Sequence, residues 1–162
     1  VVLFFRLLEN PVYTLKAELA KMPLMRFSVR RAGAIPIERS AGAAALRKLI
    51  KASQESFEKG FQVLIFPEGT RTQPRTRGKF NPGVAAVYSR CDVPVVPVAL
   101  NTGSFWARRT LRKNPGKVIV EFLPPIAPGM DRKLFQKLLE NTIEEATEKL
   151  ELESPGPQPG EE

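Results

Sequence analysis

The sequence predicts an α/β fold, because short apolar runs rich in β-branched residues alternate along it with stretches whose apolar residues recur at helical spacing. "FQVLIF" at 61–66, held between Gly60 and Pro67, has the composition of a buried strand. Residues 41–59 place Leu46, Leu49, Ile50, Ser53 and Phe57 on one helical face. "VPVVPVAL" (93–100) and "KVIVEF" (117–122) repeat the strand signal.

Taken in order, "VVLFFRLLEN" before Pro11 predicts the end of a core-packed helix, since the residue ahead of a proline is pushed out of the helical region. "ENPVYTLKAEL" then places Lys16 and Glu18 in a loop, and "AGAIPI" (32–37) predicts a strand with Arg39 at its end. Ser40 is the expected N-cap of the 41–59 helix and Gly60 its stop. Asn81 and Pro82 form a favourable helix opening, cap followed by first helical residue, for a segment reaching residue 91. Pro94 and Pro97 call for an edge or a bulge in their strand. The last helix, 131–152, directs Leu134, Leu138, Ile143, Ala146 and Leu150 to the core. One domain over 1–152 is expected. The remainder, 153–162, with "SPGPQPGEE", has too little apolar surface to offset its ordering entropy and is expected to be disordered.

A hydrophobic content of 43% with 26% charged residues is that of an ordinary globular chain. The net charge of +8 favours anionic partners: nucleic acid, lipid headgroups, or phosphorylated and carboxylated small molecules. Cys91 is the single cysteine, which excludes an internal disulfide and a two-cysteine metal site. No run reaches the roughly 18 apolar residues of a membrane span, so these residues should not cross a bilayer by themselves. There are no histidines, so an imidazole base must come from outside the chain. Val1 opens inside an apolar run, which suggests residues upstream of it.

"FPEGTRTQPRTRGKF" (66–80) carries the densest chemistry. It follows a buried strand, the usual place for ligands in open α/β sheets. Gly69 lets a ligand approach the backbone, Thr70 offers a hydroxyl and Arg71 a bidentate fork for phosphate. Arg75, Arg77 and Lys79 add positive potential, and a helix starting near Asn81 would add N–H donors. The plainer alternative is a Glu68–Arg71 pair on a turn, with the other cations facing water. "SFWARRTLRKNPGK" (104–117) has two readings as well: an aromatic anchor with cations for an anionic membrane, or core aromatics beside solvated charges.

"LKAEL" (15–19), "GAIPIER" (33–39), "FPEGTR" (66–71) and "VPVVPVAL" (93–100), in this order and spacing, resemble the glycerophospholipid acyltransferase family, and within it the bacterial 1-acyl-sn-glycerol-3-phosphate acyltransferases. The resemblance covers about residues 1–130, and "FPEGTR" is its most specific part. It implies a central mixed sheet flanked by helices. It also implies transfer of an acyl group from acyl-CoA or acyl carrier protein, as co-substrate and without a further cofactor or metal, to lysophosphatidic acid, giving phosphatidic acid. By the same resemblance Lys16, Arg39, Glu68, Gly69, Thr70 and Arg71 hold the acceptor's glycerol phosphate. Pro94 and Pro97 lie in the block that shapes the acyl-donor side.

The family's catalytic His-x4-Asp motif precedes these blocks and is missing here, Asp92 and Asp131 both lying downstream. The expectation is an N-terminally truncated, by itself inactive domain, acting at the cytoplasmic face of the cell membrane either peripherally or through a missing N-terminal segment. A catalytically silent phospholipid- or phosphate-binding homologue is the alternative. Nucleic-acid binding has only the net charge in its favour, with no zinc-finger, RNA-recognition or helix-turn-helix signature.

Overall fold

The computed structural model describes residues 3–21, 33–70, 72–106 and 113–154, the side chains of Lys21 and Arg39 excepted. The predicted tail from 155 onward, Arg71, and 107–112 within the aromatic and cationic segment lie outside the described residues. The chain forms two compact units, Val1–Pro67 and Glu68–Glu162.

In the first unit, α1 (Phe4–Leu7) leads to β1 (Pro11–Lys16), α2 (Ala17–Lys21), β2 (Ile35–Ile37), a 3-10 turn (Arg39–Ala41), α3 (Gly42–Glu58) and β3 (Gln62–Leu64). The three strands make a parallel sheet in the order β2-β1-β3. The central strand, β1, contains Lys16, a residue expected in a loop. "PVYTLK" has no clean alternation of burial, with Val12 its one buried residue and four others half-buried. Thr14, Leu15 and Lys16 face Ile35, Pro36 and Ile37, while Pro11, Val12 and Tyr13 face Gln62, Val63 and Leu64. Pro36, which has no N–H to give, sits on an edge strand, where its loss is tolerated.

α3 packs on β2 and β3, burying Leu49, Ser53 and Ser56, with Leu46, Ile50 and Phe57 half-buried at the margin of the expected face. Its cap position is Ala41 and no side chain caps it, because the 3-10 turn occupies the residues around Ser40. α1 is a single turn of which Phe4 alone is buried, edge-on to Phe66, whereas Leu3, Phe5 and Leu7 are exposed. Among the described residues the expected core helix is thus reduced to one anchoring ring.

In the second unit, α4 (Gly83–Cys91), β4 (Val98–Leu100), α5 (Thr102–Phe105), β5 (Val120–Phe122) and α6 (Arg132–Glu153) follow one another. β4 and β5 pair antiparallel, so parallel and antiparallel pairing are both present, one in each unit. Pro94 and Pro97 lie outside the regular ladder: a bridge between Val95 and Ile126 precedes it, and the Pro97 carbonyl accepts from Leu123 N–H. Buried Asn101 ties the two strands' ends together, its Oδ1 accepting from Ile119 N–H at 2.8 Å and its Nδ2 donating to Lys117 O at 3.2 Å.

α6 begins where expected, with the Asp131 carboxylate accepting from Lys133 and Leu134 N–H, but its rotation differs. Leu150 is buried as expected, but Phe135 and Leu139 take the places foreseen for Leu134 and Leu138, which are 62% and 41% exposed. Phe135 stacks on Tyr88 at 3.6 Å between ring centroids, and this aromatic contact outweighs leucine burial in choosing the helix face. The helix includes Glu153, assigned above to the tail, since Ser154 N–H still closes a turn on Leu150 O. Phe135→Ala should therefore cost about 3–5 kcal/mol of unfolding free energy, and Leu134→Ala less than about 0.5 kcal/mol, in urea titrations followed by circular dichroism.

Candidate functional site

In the first unit the parallel register decides what stands at the carboxyl end of the sheet. Lys16 is the last residue of β1, exposed, and pairs in register with Ile37. Arg39 opens the 3-10 turn two residues further on. The fold therefore brings both predicted residues to the carboxyl end of one parallel sheet, where ligands of such sheets bind. Lys16 stands at a strand end and not in a loop, and Glu18 lies in the first turn of α2.

In the second unit Glu68, Gly69 and Thr70 form a turn. Gly69 has φ +63°, the left-handed region in which a side chain is strained, which accounts for glycine in "PEGT". The Glu68 carbonyl accepts from Asn81 Nδ2 at 2.8 Å. Asn81 is thus spent on the turn and does not cap α4, whose cap position is Pro82. Thr70 is exposed.

The loop that follows is bound to α6 by three glutamates. Gly78 N–H donates to Glu144 Oε1 at 3.1 Å and Arg75 N–H to Glu151 Oε2 at 2.8 Å. Arg77 grips Glu148 with Nε and Nη2 at 2.8 and 3.2 Å. Glu144 and Glu151 are both 8% exposed, and their hydrogen bonds from the main chain compensate part of the cost of burial. Arg75 has φ +60°, a conformation rare outside glycine, in the same short segment that hands its N–H to Glu151. The cations expected to supply open positive potential are accordingly unequal: Arg77 is neutralised by Glu148, while the Arg75 and Lys79 side chains are exposed.

Sequence reasoning missed these glutamates. Their signal is a spacing of four and then three residues on one face of α6, and it is interleaved with the leucine pattern of the same helix.

Electrostatics at the turn follow from this packing. Burial raises the Glu68 carboxyl above the ordinary glutamate range, and the charge of Glu144 raises it further. Glu144 is raised as well, first by burial, with Glu148 and Glu140 adding to it against the Gly78 N–H and the Arg77 charge. Glu148 is lowered by its hydrogen bonds from Arg77. Glu68 Oε2 is buried and has no hydrogen-bond partner among the described residues. The turn therefore holds a carboxyl group with one buried oxygen that no described residue satisfies.

The Acyltransferase family profile matches residues 1–101, more than half of the sequence. The chain belongs to this family. Among curated relatives, a 1-acyl-sn-glycerol-3-phosphate acyltransferase of Pseudomonas aeruginosa is 38% identical over 110 residues, covering 68% of this chain and 43% of its own length. The enzyme of the same name from Limnanthes douglasii is 32% identical over 127 residues, covering 76% of this chain and 45% of its own length. This acyltransferase chain thus spans less than half the length of these relatives. In fold it is similar to the crystal structure of the 1-acyl-sn-glycerophosphate acyltransferase PlsC from Thermotoga maritima, with a TM-score of 0.68, 23% identity, and coverage of 88% of this chain and 57% of that one.

A pH prediction comes from Glu144. A glutamate whose folded pKa is raised favours the fold fully below its unfolded pKa, and that contribution is lost as pH rises through the folded value. Glu144→Gln keeps an oxygen for Gly78 N–H and removes the charge. Its stability should match the parent near pH 4 and exceed it increasingly toward pH 7, as read from thermal melts at a series of pH values; a constant difference across the range would contradict the assignment.

Proposed function

We propose that this chain carries the acceptor-holding part of a 1-acyl-sn-glycerol-3-phosphate acyltransferase. In this reading the sn-2 hydroxyl of lysophosphatidic acid attacks the thioester carbonyl of acyl-CoA or acyl carrier protein. An ester C–O bond forms, the C–S bond breaks, and the hydroxyl proton passes through a base to the leaving thiolate. The observation that carries the reading is the family match together with relatives of one name at 38% and 32% identity.

Lys16 and Arg39 supply positive charge at the end of the parallel sheet, and Arg71 a guanidinium suited to phosphate. The Gly69 turn exposes main chain and the Thr70 hydroxyl, and Glu68 offers a hydrogen-bond acceptor to the glycerol part. With no histidine in the sequence, an imidazole base for this step would come from outside these residues. No cofactor or metal enters this chemistry. Contact with an anionic membrane, at its cytoplasmic face, is supported by the +8 charge and by Trp106, 45% exposed with Lys113 Nζ 4.5 Å from its ring centre. Phe105, its partner in the sequence pattern, is buried and belongs to the core. No helix among the described residues is long and apolar enough to cross a membrane.

The test is acyl transfer to lysophosphatidate measured in two proteins. The 162 residues alone should give none. The same chain, extended by whatever residues its gene encodes upstream, should give phosphatidic acid if these include a His-x4-Asp block. Phosphate binding without turnover in the extended chain would instead indicate a silent phospholipid binder. In the active form Arg71→Ala should weaken acceptor binding by about 1.5–3 kcal/mol through loss of a charge-assisted hydrogen bond, read as a raised KM for lysophosphatidate.

A further inference from the structure

Gly78 presents a contact that its backbone does not explain. It is absent from the glycines with positive φ, so alanine would meet no conformational strain there. A Cβ built at this position would nevertheless lie 2.5 Å from Glu68 Oε2, 2.7 Å from Cδ and 2.9 Å from Cγ. Three consecutive atoms of Glu68 rest on the bare Cα, so the whole side chain, and not only its tip, would have to swing away. The other side of Gly78 is held too, through its N–H to Glu144 Oε1 at 3.1 Å.

Gly78 thus lies between the carboxylate of the "PEGT" turn and a carboxylate of α6. Glu144 is in turn kept in place by its row: Glu148 on Arg77 and Glu151 on the Arg75 N–H. The loop residues 78, 77 and 75 meet helix residues 144, 148 and 151 in antiparallel order, so one rigid helix sets the path of the loop over its length.

We infer that Gly78 and Glu144 are positioning residues for Glu68: the α6 carboxylate row holds Gly78 where its missing side chain seats the Glu68 carboxyl. For the ligand, this inference rests on the reading above, in which Glu68 faces the acceptor. For the geometry it stands on the contacts alone.

The experiment uses the 162-residue chain with 13C-labelled glutamate, following the Glu68 carboxyl by NMR through a pH titration and measuring lysophosphatidate binding below its micelle concentration. The Glu68 resonance is assigned by its loss in Glu68→Ala. Gly78→Ala should lower the Glu68 titration midpoint toward that of an exposed glutamate, leave the thermal melt nearly unchanged, and weaken lysophosphatidate binding about tenfold, the scale of one charge-assisted hydrogen bond. In a Glu68→Ala background Gly78→Ala should bring no further loss. Glu144→Gln, which retains the acceptor for Gly78 N–H, should bind within about twofold of the parent, whereas Glu144→Ala should lose as much as Gly78→Ala.

An unchanged Glu68 midpoint in Gly78→Ala would overturn the inference, as would equal effects of Gln and Ala at 144. If the parent chain fails to bind lysophosphatidate while Gly78→Ala still moves the Glu68 midpoint, the positioning stands and the acceptor reading falls.

Discussion

The stacking of Phe135 on Tyr88 sets the rotation of α6, and much of the second unit depends on that rotation. At 100° per residue Glu144 lies about half a turn away from Phe135, with Glu148 and Glu151 close to the same line. Once the ring is seated, the carboxylates have one direction left, and they meet the 75–78 loop there. Had Leu134 and Leu138 been buried instead, the helix would be turned by about 100° and the row would miss the loop. A single aromatic contact thus couples core packing to the shape of the "PEGT" turn. Tyr88 reinforces it from its other end, its hydroxyl donating to Ala127 O at 2.7 Å and accepting from Met130 N–H at 2.9 Å. Those two bonds fix the approach to the helix at Asp131.

The first unit is organised by a different constraint. A parallel sheet gives every strand the same polarity, so its carboxyl ends gather at one edge. The register Lys16 with Ile37 is what carries Lys16 and Arg39 to that edge from positions separated by more than twenty residues in sequence. Burial of Val12 and Ile35 holds the register, because a shift of one residue would turn these side chains to the opposite face. Core apolar residues in this unit therefore decide where the polar ones stand.

Charge on this protein is less simple than its total. The +8 suggests open positive potential, but within the 75–78 loop the guanidinium of Arg77 is matched by Glu148, and two buried carboxylates take main-chain N–H groups. The exposed Arg77–Glu148 pair adds little stability of its own. Its value lies in geometry, since its two-pronged grip restrains the residue next to Gly78. Attraction for an anion is left to cations not engaged in this way, among which the exposed Lys16 and Lys79 side chains are described.

The sequence by itself determined the α/β alternation, the α3 face around Leu49 and Ser53, the Asp131 start of α6, and the specific turn around Gly69. Each is written in residues within a few positions of one another, where period, cap or left-handed turn leaves a local mark. The series from "LKAEL" to "VPVVPVAL" likewise carried the family, because motif order survives without any knowledge of packing. Tertiary structure decided the rest. β1 was invisible because its residues do not alternate between buried and exposed, and the rotation of α6 because Leu134 and Phe135 compete for one core on nearly equal hydrophobic terms. The carboxylate row was illegible for the plainest reason. Arg77 and Glu148 are 71 residues apart, and no local pattern records a partner that only the folded chain brings within 2.8 Å.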